Sequence, residues 1–121
     1  MMGMTPFTIE SRADRHHILS TLAQKYSKNI IAVNHFGGYT SVLFDGNCTA
    51  YNYKGKLVAQ LKEFDEDFQI IDTNKLGSLP TIPFHQKEKI ALIHEALCFG
   101  IKDYFGKHGF KKAILGLSGG I

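Results

Sequence analysis

The stretch that most constrains this chain is its last one. The apolar run Ala113-Ile114-Leu115 passes directly into Gly116-Leu117-Ser118-Gly119-Gly120-Ile121. A short continuous apolar run reads as a buried strand. A strand that breaks into Ser-Gly-Gly can bring backbone N–H groups close to an anion, because glycine permits positive φ and has no Cβ in the way. Successive N–H groups then form a nest for phosphate oxygens, and a following helix would add its positive N-terminus. Taken alone, the same residues are also what a flexible chain end looks like. The context decides for a loop. Ile90, Ile93, Leu97, Ile101 and Tyr104 mark one face of a preceding helix, which Gly106 and Gly109 end, so the pattern is helix, strand over Lys111–Leu117, glycine loop.

Further upstream, Ser11 followed by Asp14 predicts a helix start of the capping-box type. Ile18, Leu19, Leu22, Ala23 and Tyr26 carry the helical period from near Arg12 to near Lys25. His16 and His17 are adjacent rather than four apart, so they are expected to be solvated side chains and not metal ligands. Ile30–Asn34 predicts a strand buried on both faces and ended by Gly37-Gly38. Ser41–Phe44 predicts another, with Asp45-Gly46 as its turn. Cys48–Tyr53 and Leu57–Leu61 predict a hairpin closed at Lys54-Gly55. Glu63, Asp65, Glu66 and Asp67 are expected on a solvated edge, and Phe68–Asp72 as a last strand. From Thr73 to Phe84, Gly77, Ser78, Pro80 and Pro83 leave no periodicity. The chain therefore divides into residues 1–72, a linker at 73–84, and residues 85–121.

The formal charge of +3 is spread among acids without a long basic run, which argues against a nucleic-acid partner. No apolar stretch is long enough to span a bilayer. The start Met1-Met2-Gly3-Met4-Thr5-Pro6 lacks the regions of a signal peptide. Cys48 and Cys98 have no metal-ligand spacing and read as buried free thiols of a cytoplasmic protein. The six histidines form no metal pattern.

Residues Leu115–Ile121 resemble the opening of the S-G-G-I-D-S loop of the PP-loop ATP pyrophosphatases. Ala96–Tyr104 and Lys107–Lys112 before them resemble the entry to the synthetase domain of the glutamine-dependent NAD synthetase family. The first half resembles the last third of the nitrilase-like amidase domain found in the same family, in the same order. The matching pieces are Thr5-Pro6-Phe7, Asp14-Arg15, Val33-Asn34, Gly37-Gly38, Phe44-Asp45-Gly46, and Phe64-Asp65-Glu66-Asp67 for an acidic Phe-x-Glu element.

This resemblance implies an α/β fold. Residues 1–72 would be the C-terminal part of a nitrilase-like α-β-β-α sandwich, the glutaminase (CN hydrolase) domain. Residues 73–84 would be a linker, and 85–121 the first helix and strand of an adenine nucleotide α-hydrolase-like (PP-loop) domain. It implies a carbon–nitrogen ligase that makes NAD from deamido-NAD, ATP and glutamine, with Mg, in an enzyme that assembles into homo-oligomers. Gly116, Leu117, Ser118, Gly119, Gly120 and Ile121 would bind ATP. Thr5 stands where the family has a serine on glutamine, and Ser11 where many relatives carry a second glutamine contact, often lysine. The sequence departs from the family at Tyr39-Thr40-Ser41, where Gln-Asp-Glu is common. The family's catalytic Glu, Lys and Cys precede the matched region, so no catalytic residue is assigned and Cys48 is read as a half-buried strand cysteine. The expectation is a segment spanning a domain junction and inactive by itself. Its apolar face at Ile90, Ile93, Leu97 and Ile101 would lie exposed, and residues 111–121 would be poorly packed. The alternatives are another PP-loop ATP pyrophosphatase, or a non-catalytic remnant or interaction module.

Overall fold

The computed structural model describes residues 1–120. Along the chain the elements are β1 (Met2–Gly3), α1 (Ser11–Tyr26), β2 (Ile30–Asn34), β3 (Phe36–Tyr39), β4 (Val42–Asp45), β5 (Thr49–Tyr51), β6 (Leu57–Gln60), a 3₁₀ turn (Leu76–Ser78) and α2 (Lys89–His108). Four strands form one sheet in the order β1-β2-β5-β6, and β3 and β4 form a separate hairpin. β1 runs parallel to β2, and the other pairings are antiparallel.

Alternation along the strands gives the sheet two apolar faces. On one, Leu19 and Ala23 of α1 pack on Tyr51 and Leu57, flanked by Ile30, Ala32 and Phe84. On the other, Ala50, Val58, Ala59 and Leu76 pack together with Ile31, Ile71 and Leu79. Val58 and Ala59 share that face because the ladder slips at Ala50/Tyr51, and the extra residue of a bulge turns two successive side chains to one side. The hairpin turn holds Gly55 at φ +74, where an added Cβ would stand 2.6 Å from the Ser20 carbonyl. Only glycine fits both demands.

The helices, β2 and the β5–β6 hairpin lie where the sequence predicts them, except that α2 runs through Gly106 and ends only at Gly109, at φ +68. Four local expectations are corrected. The start of α1 is held by Thr8 and Ser11, whose hydroxyls accept from each other's backbone N–H at 3.1 Å, and not by Ser11 with Asp14. β2 is half-buried, with Val33 exposed. Gly37-Gly38 does not end a strand but lies inside β3, where Gly37 takes φ +122 and Gly38 pairs with Leu43. Phe68–Asp72 forms no strand, and Phe68 and Ile70 are exposed. Residues 73–84, which carry no periodicity in sequence, pack on the sheet. Leu76 has no exposed surface, the Ile82 N–H donates to the Leu57 carbonyl at 2.9 Å, and Phe84 stacks on His16 at 4.1 Å.

Candidate functional site

The terminal loop is reached through α2. Beyond Gly109 the backbone leaves the body of the protein, and the strand expected at Lys111–Leu117 is not formed among the described residues. Ile114, Leu115 and Leu117 are exposed. An isolated strand has no neighbour to satisfy its backbone or cover its side chains. The Gly120 N–H turns back onto the Ser118 carbonyl at 2.7 Å, so it is not presented outward in this arrangement. An added Cβ at Gly116, Gly119 or Gly120 would meet nothing within 4 Å, and none of the three has a φ that demands glycine. Packing among the described residues therefore gives no reason for three glycines here. Ile121 lies outside the described residues.

The other candidates, Thr5 and Ser11, are placed apart in role. Thr5 is fixed by Asn34, whose side chain accepts from the Thr5 N–H at 2.9 Å and donates to its carbonyl at 3.2 Å. It lines a cavity of about 260 Å³ between α1 and the sheet, with Arg15, His16, Asn34, Thr49 and Tyr51. Ser11 is occupied with Thr8 and is not among the residues lining that cavity. His16, expected in solvent, shares a 2.9 Å hydrogen bond between its Nδ1 and the Tyr51 hydroxyl. Burial, aided by neighbouring His17, holds the His16 imidazole below its ordinary value. Burial pushes the Tyr51 phenol up.

Two charged groups that sequence reasoning missed organise this region. Asp45 is fully buried. It takes both guanidinium nitrogens of Arg15, with Nη1 at 3.0 Å, and accepts from the Asn34 amide at 3.0 Å. A buried carboxylate needs such complete pairing. Glu63 corrects the solvated edge expected of the acids. Its side chain is 5% exposed and pairs with Arg12, itself 3% exposed. Lys87 reaches the same carboxylate at 3.4 Å. Arg12 Nη2 also donates to the His85 carbonyl at 2.8 Å. Burial raises the Glu63 pKa, against the pull of Arg12 and Lys87. Nothing in the local sequence distinguishes Glu63 from Asp65, Glu66 and Asp67, because its partners lie far away along the chain.

α2 docks through Leu92 and Ala96, which are buried, and through Phe99, Gly100 and Asp103. Leu43 of β4 comes close to Gly100, where a side chain would crowd it. Asp103 accepts from the Gly38 N–H at 2.9 Å, and Lys107 donates to the Gly38 carbonyl at 2.7 Å and to Asp103 at 2.7 Å. Ile90, Leu97 and Ile101 are exposed as expected, whereas Ile93 is half-buried. Cys48 is half-buried beside β5. Cys98 is exposed on α2 and not a buried thiol, with its sulfur 3.6 Å from His94 Nε2. Among the described residues no three His, Cys, Asp or Glu side chains converge on a possible metal position. No helix among them is long and apolar enough to cross a membrane.

No protein-family model matches the sequence. The chain is 33% identical over 129 residues to the glutamine-dependent NAD(+) synthetase of Synechocystis sp., an alignment covering 99% of this chain and 22% of that protein. It is 27% identical over 123 residues to the enzyme of the same name from Acinetobacter baylyi, covering 100% of this chain and 23% of that protein. Among solved structures it is similar to the glutamine-dependent NAD+ synthetase of Acinetobacter baumannii in complex with ADP. That match has a TM-score of 0.75 and 28% identity, over 88% of this chain and 20% of that one. The chain thus spans about a fifth of the length of the curated relatives it matches.

Proposed function

We propose, from the match of this chain over nearly all of its length to one segment of glutamine-dependent NAD+ synthetases, that it forms the junction between the two catalytic parts of such an enzyme. Residues 1–72 are then the C-terminal part of a nitrilase-like glutaminase domain, 73–84 the connector, and 85–121 the start of a PP-loop synthetase domain. The observation that carries this reading is collinearity: one alignment takes in both halves and the connector between them. The docked connector and the docking of α2 on the β3–β4 hairpin support it, because they make the two parts neighbours. The relatives matched share one name, so neither another PP-loop pyrophosphatase nor a remnant module gains support.

In this reading ATP activates the carboxyl group of deamido-NAD as an adenylate, and ammonia released from glutamine displaces AMP. A carboxylate is a poor electrophile, and adenylation supplies a leaving group. As pyrophosphate departs, charge develops on its oxygens, and pre-placed donors there lower the barrier. Gly116, Leu117, Ser118, Gly119, Gly120 and Ile121 are assigned to that role, with the Ser118 hydroxyl and the backbone N–H groups of Gly119 and Gly120 as donors. The unexplained glycines support this, since a close-approaching ligand requires a bare backbone where packing does not. Presenting the Gly120 N–H requires the Ser118–Gly120 turn to open. Mg would neutralise phosphate charge, but the described residues offer no ligand set for it. Thr5 is assigned to glutamine, supported by its place on the cavity and its rigid fixing by Asn34. Ser11 is assigned a secondary contact. The 121 residues alone are expected to catalyse neither half reaction.

The test is a chimera in which these residues replace the matching segment of the Acinetobacter baumannii enzyme. Formation of NAD from deamido-NAD, ATP and glutamine supports the reading, with loss on Gly119→Val. A chimera that folds but makes no NAD from either glutamine or ammonia refutes it.

A further inference from the structure

Two consecutive residues, Glu63 and Phe64, each touch both halves of the chain. The Glu63 carboxylate lies between Arg12 of α1 and Lys87, just ahead of α2. The Phe64 ring lies between Phe7, in the lead-in to α1, and Phe99 of α2. The centroid distances are 5.1 Å and 5.4 Å, and Phe99 continues to Phe36 of β3 at 5.1 Å. Phe64 is held at φ +53, a region that a bulky side chain occupies only when its surroundings impose it. The imposition is visible. The Phe64 N–H donates to the Asp45 carbonyl at 3.0 Å, and Glu63 bridges to Gly46. The pair thus hangs from the Asp45–Gly46 corner, which Arg15 and Asn34 also lock.

We propose that Glu63-Phe64 is a positioning joint, which transmits the placement of the Thr5–Ser11 segment to α2 and so to the loop that α2 leads into. The strained backbone aims the ring and the carboxylate at once, so a shift of Phe7 or Arg12 reaches Phe99 or Lys87 through one rigid element. Phe7 itself is pinned by its N–H to the Leu43 carbonyl at 2.7 Å, a backbone contact that a change of the Phe7 side chain leaves in place. The functional meaning, that occupancy of the glutamine side biases the ATP side, rests on the reading proposed above. The mechanical claim does not.

Amide hydrogen exchange of the 121-residue chain tests the joint without any ligand. Phe7→Leu should speed exchange in α2 around Ala96–Asp103 by roughly two- to tenfold, the factor expected for losing one aromatic pair. The β5–β6 hairpin should be unchanged. In a Phe64→Leu background, Phe7→Leu should no longer affect α2. Equal effects on α2 with and without Phe64, or no effect of Phe7→Leu on α2, would overturn the proposal. Should Phe64→Leu not fold, Glu63→Gln gives the same decision. It should loosen residues 11–15 and 85–95 together, and loosening of the first alone refutes the joint. An inactive chimera would sink the enzymatic reading and leave these exchange results as they are.

Discussion

Leu76 comes from a stretch whose composition reads as a linker, yet it is wholly buried against Ala50, Val58 and Ala59. Leu76→Ala therefore asks whether residues 73–84 belong to the fold. Fully burying a leucine side chain contributes about 1.5–3 kcal/mol by transfer alone. A cavity adds to this where neighbours cannot collapse, giving about 2–5 kcal/mol in total for Leu→Ala. Ala50, Val58 and Ala59 are held on the hydrogen-bonded sheet and cannot follow the lost methyls, which leaves Ile71 and Leu79 to close part of the gap. The expected loss is about 3 kcal/mol. With a urea slope of about 1.5 kcal/mol per molar, the unfolding midpoint should fall by about 2 M. The control is Phe68→Ala, at an exposed site in the preceding segment, which should stay within about 0.5 kcal/mol. A loss below about 1 kcal/mol for Leu76→Ala would mean that residues 73–84 leave the sheet freely and do not belong to the fold.

Asp45→Ala should cost about 3–5 kcal/mol by leaving Arg15 without its buried partner, measured by the same denaturation curves. Gly55→Ala should destabilise by more than about 1 kcal/mol, since it combines a positive φ with a clash on the Ser20 carbonyl. His16 titrates below its ordinary value in the folded chain, so the unfolded chain binds more protons and stability should fall as pH drops through 6.5. His16→Gln should flatten that slope in a pH series of melting curves. Glu63 has the opposite sign. Its raised folded pKa gives stability that is full below the unfolded value and declines as pH rises from there through the folded one. Glu63→Gln should remove that decline, and an unchanged pH profile would contradict the burial argument.

Much of the fold was legible because it is locally encoded. The 3.6-residue period of α1 and α2, the β-branched run of β2, and the Lys54-Gly55 turn between β5 and β6 depend on neighbours a few residues away. Gly37-Gly38 misled because glycine usually interrupts a strand. Here the bare backbone admits Asp103, whose carboxylate oxygen would lie 2.8 Å from a Cβ at Gly38. Phe68–Asp72 has strand composition but is given no strand to pair with, and composition alone cannot supply one.

The candidate site divides along the same line. Ser118-Gly119-Gly120 could be singled out as a candidate by residue type and order, because the chemistry of a glycine loop is carried by adjacent residues, whereas Thr5 was a candidate only through the family resemblance. What joins them was invisible. Arg12 finds Glu63 across 51 positions, Phe7 reaches Phe99 through Phe64, and Asp103 caps the Gly38 N–H 65 positions away. One aspartate or glutamate in an acidic run looks like the next until folding removes water from one of them. Periodicity and turn chemistry settled the helices and most strands of this protein. Only tertiary structure selected Glu63 and Asp45 from the chain's acids, docked residues 73–84 on the sheet and left Lys111–Leu117 without a strand, because burial and pairing are properties of the assembled surface and not of any local stretch.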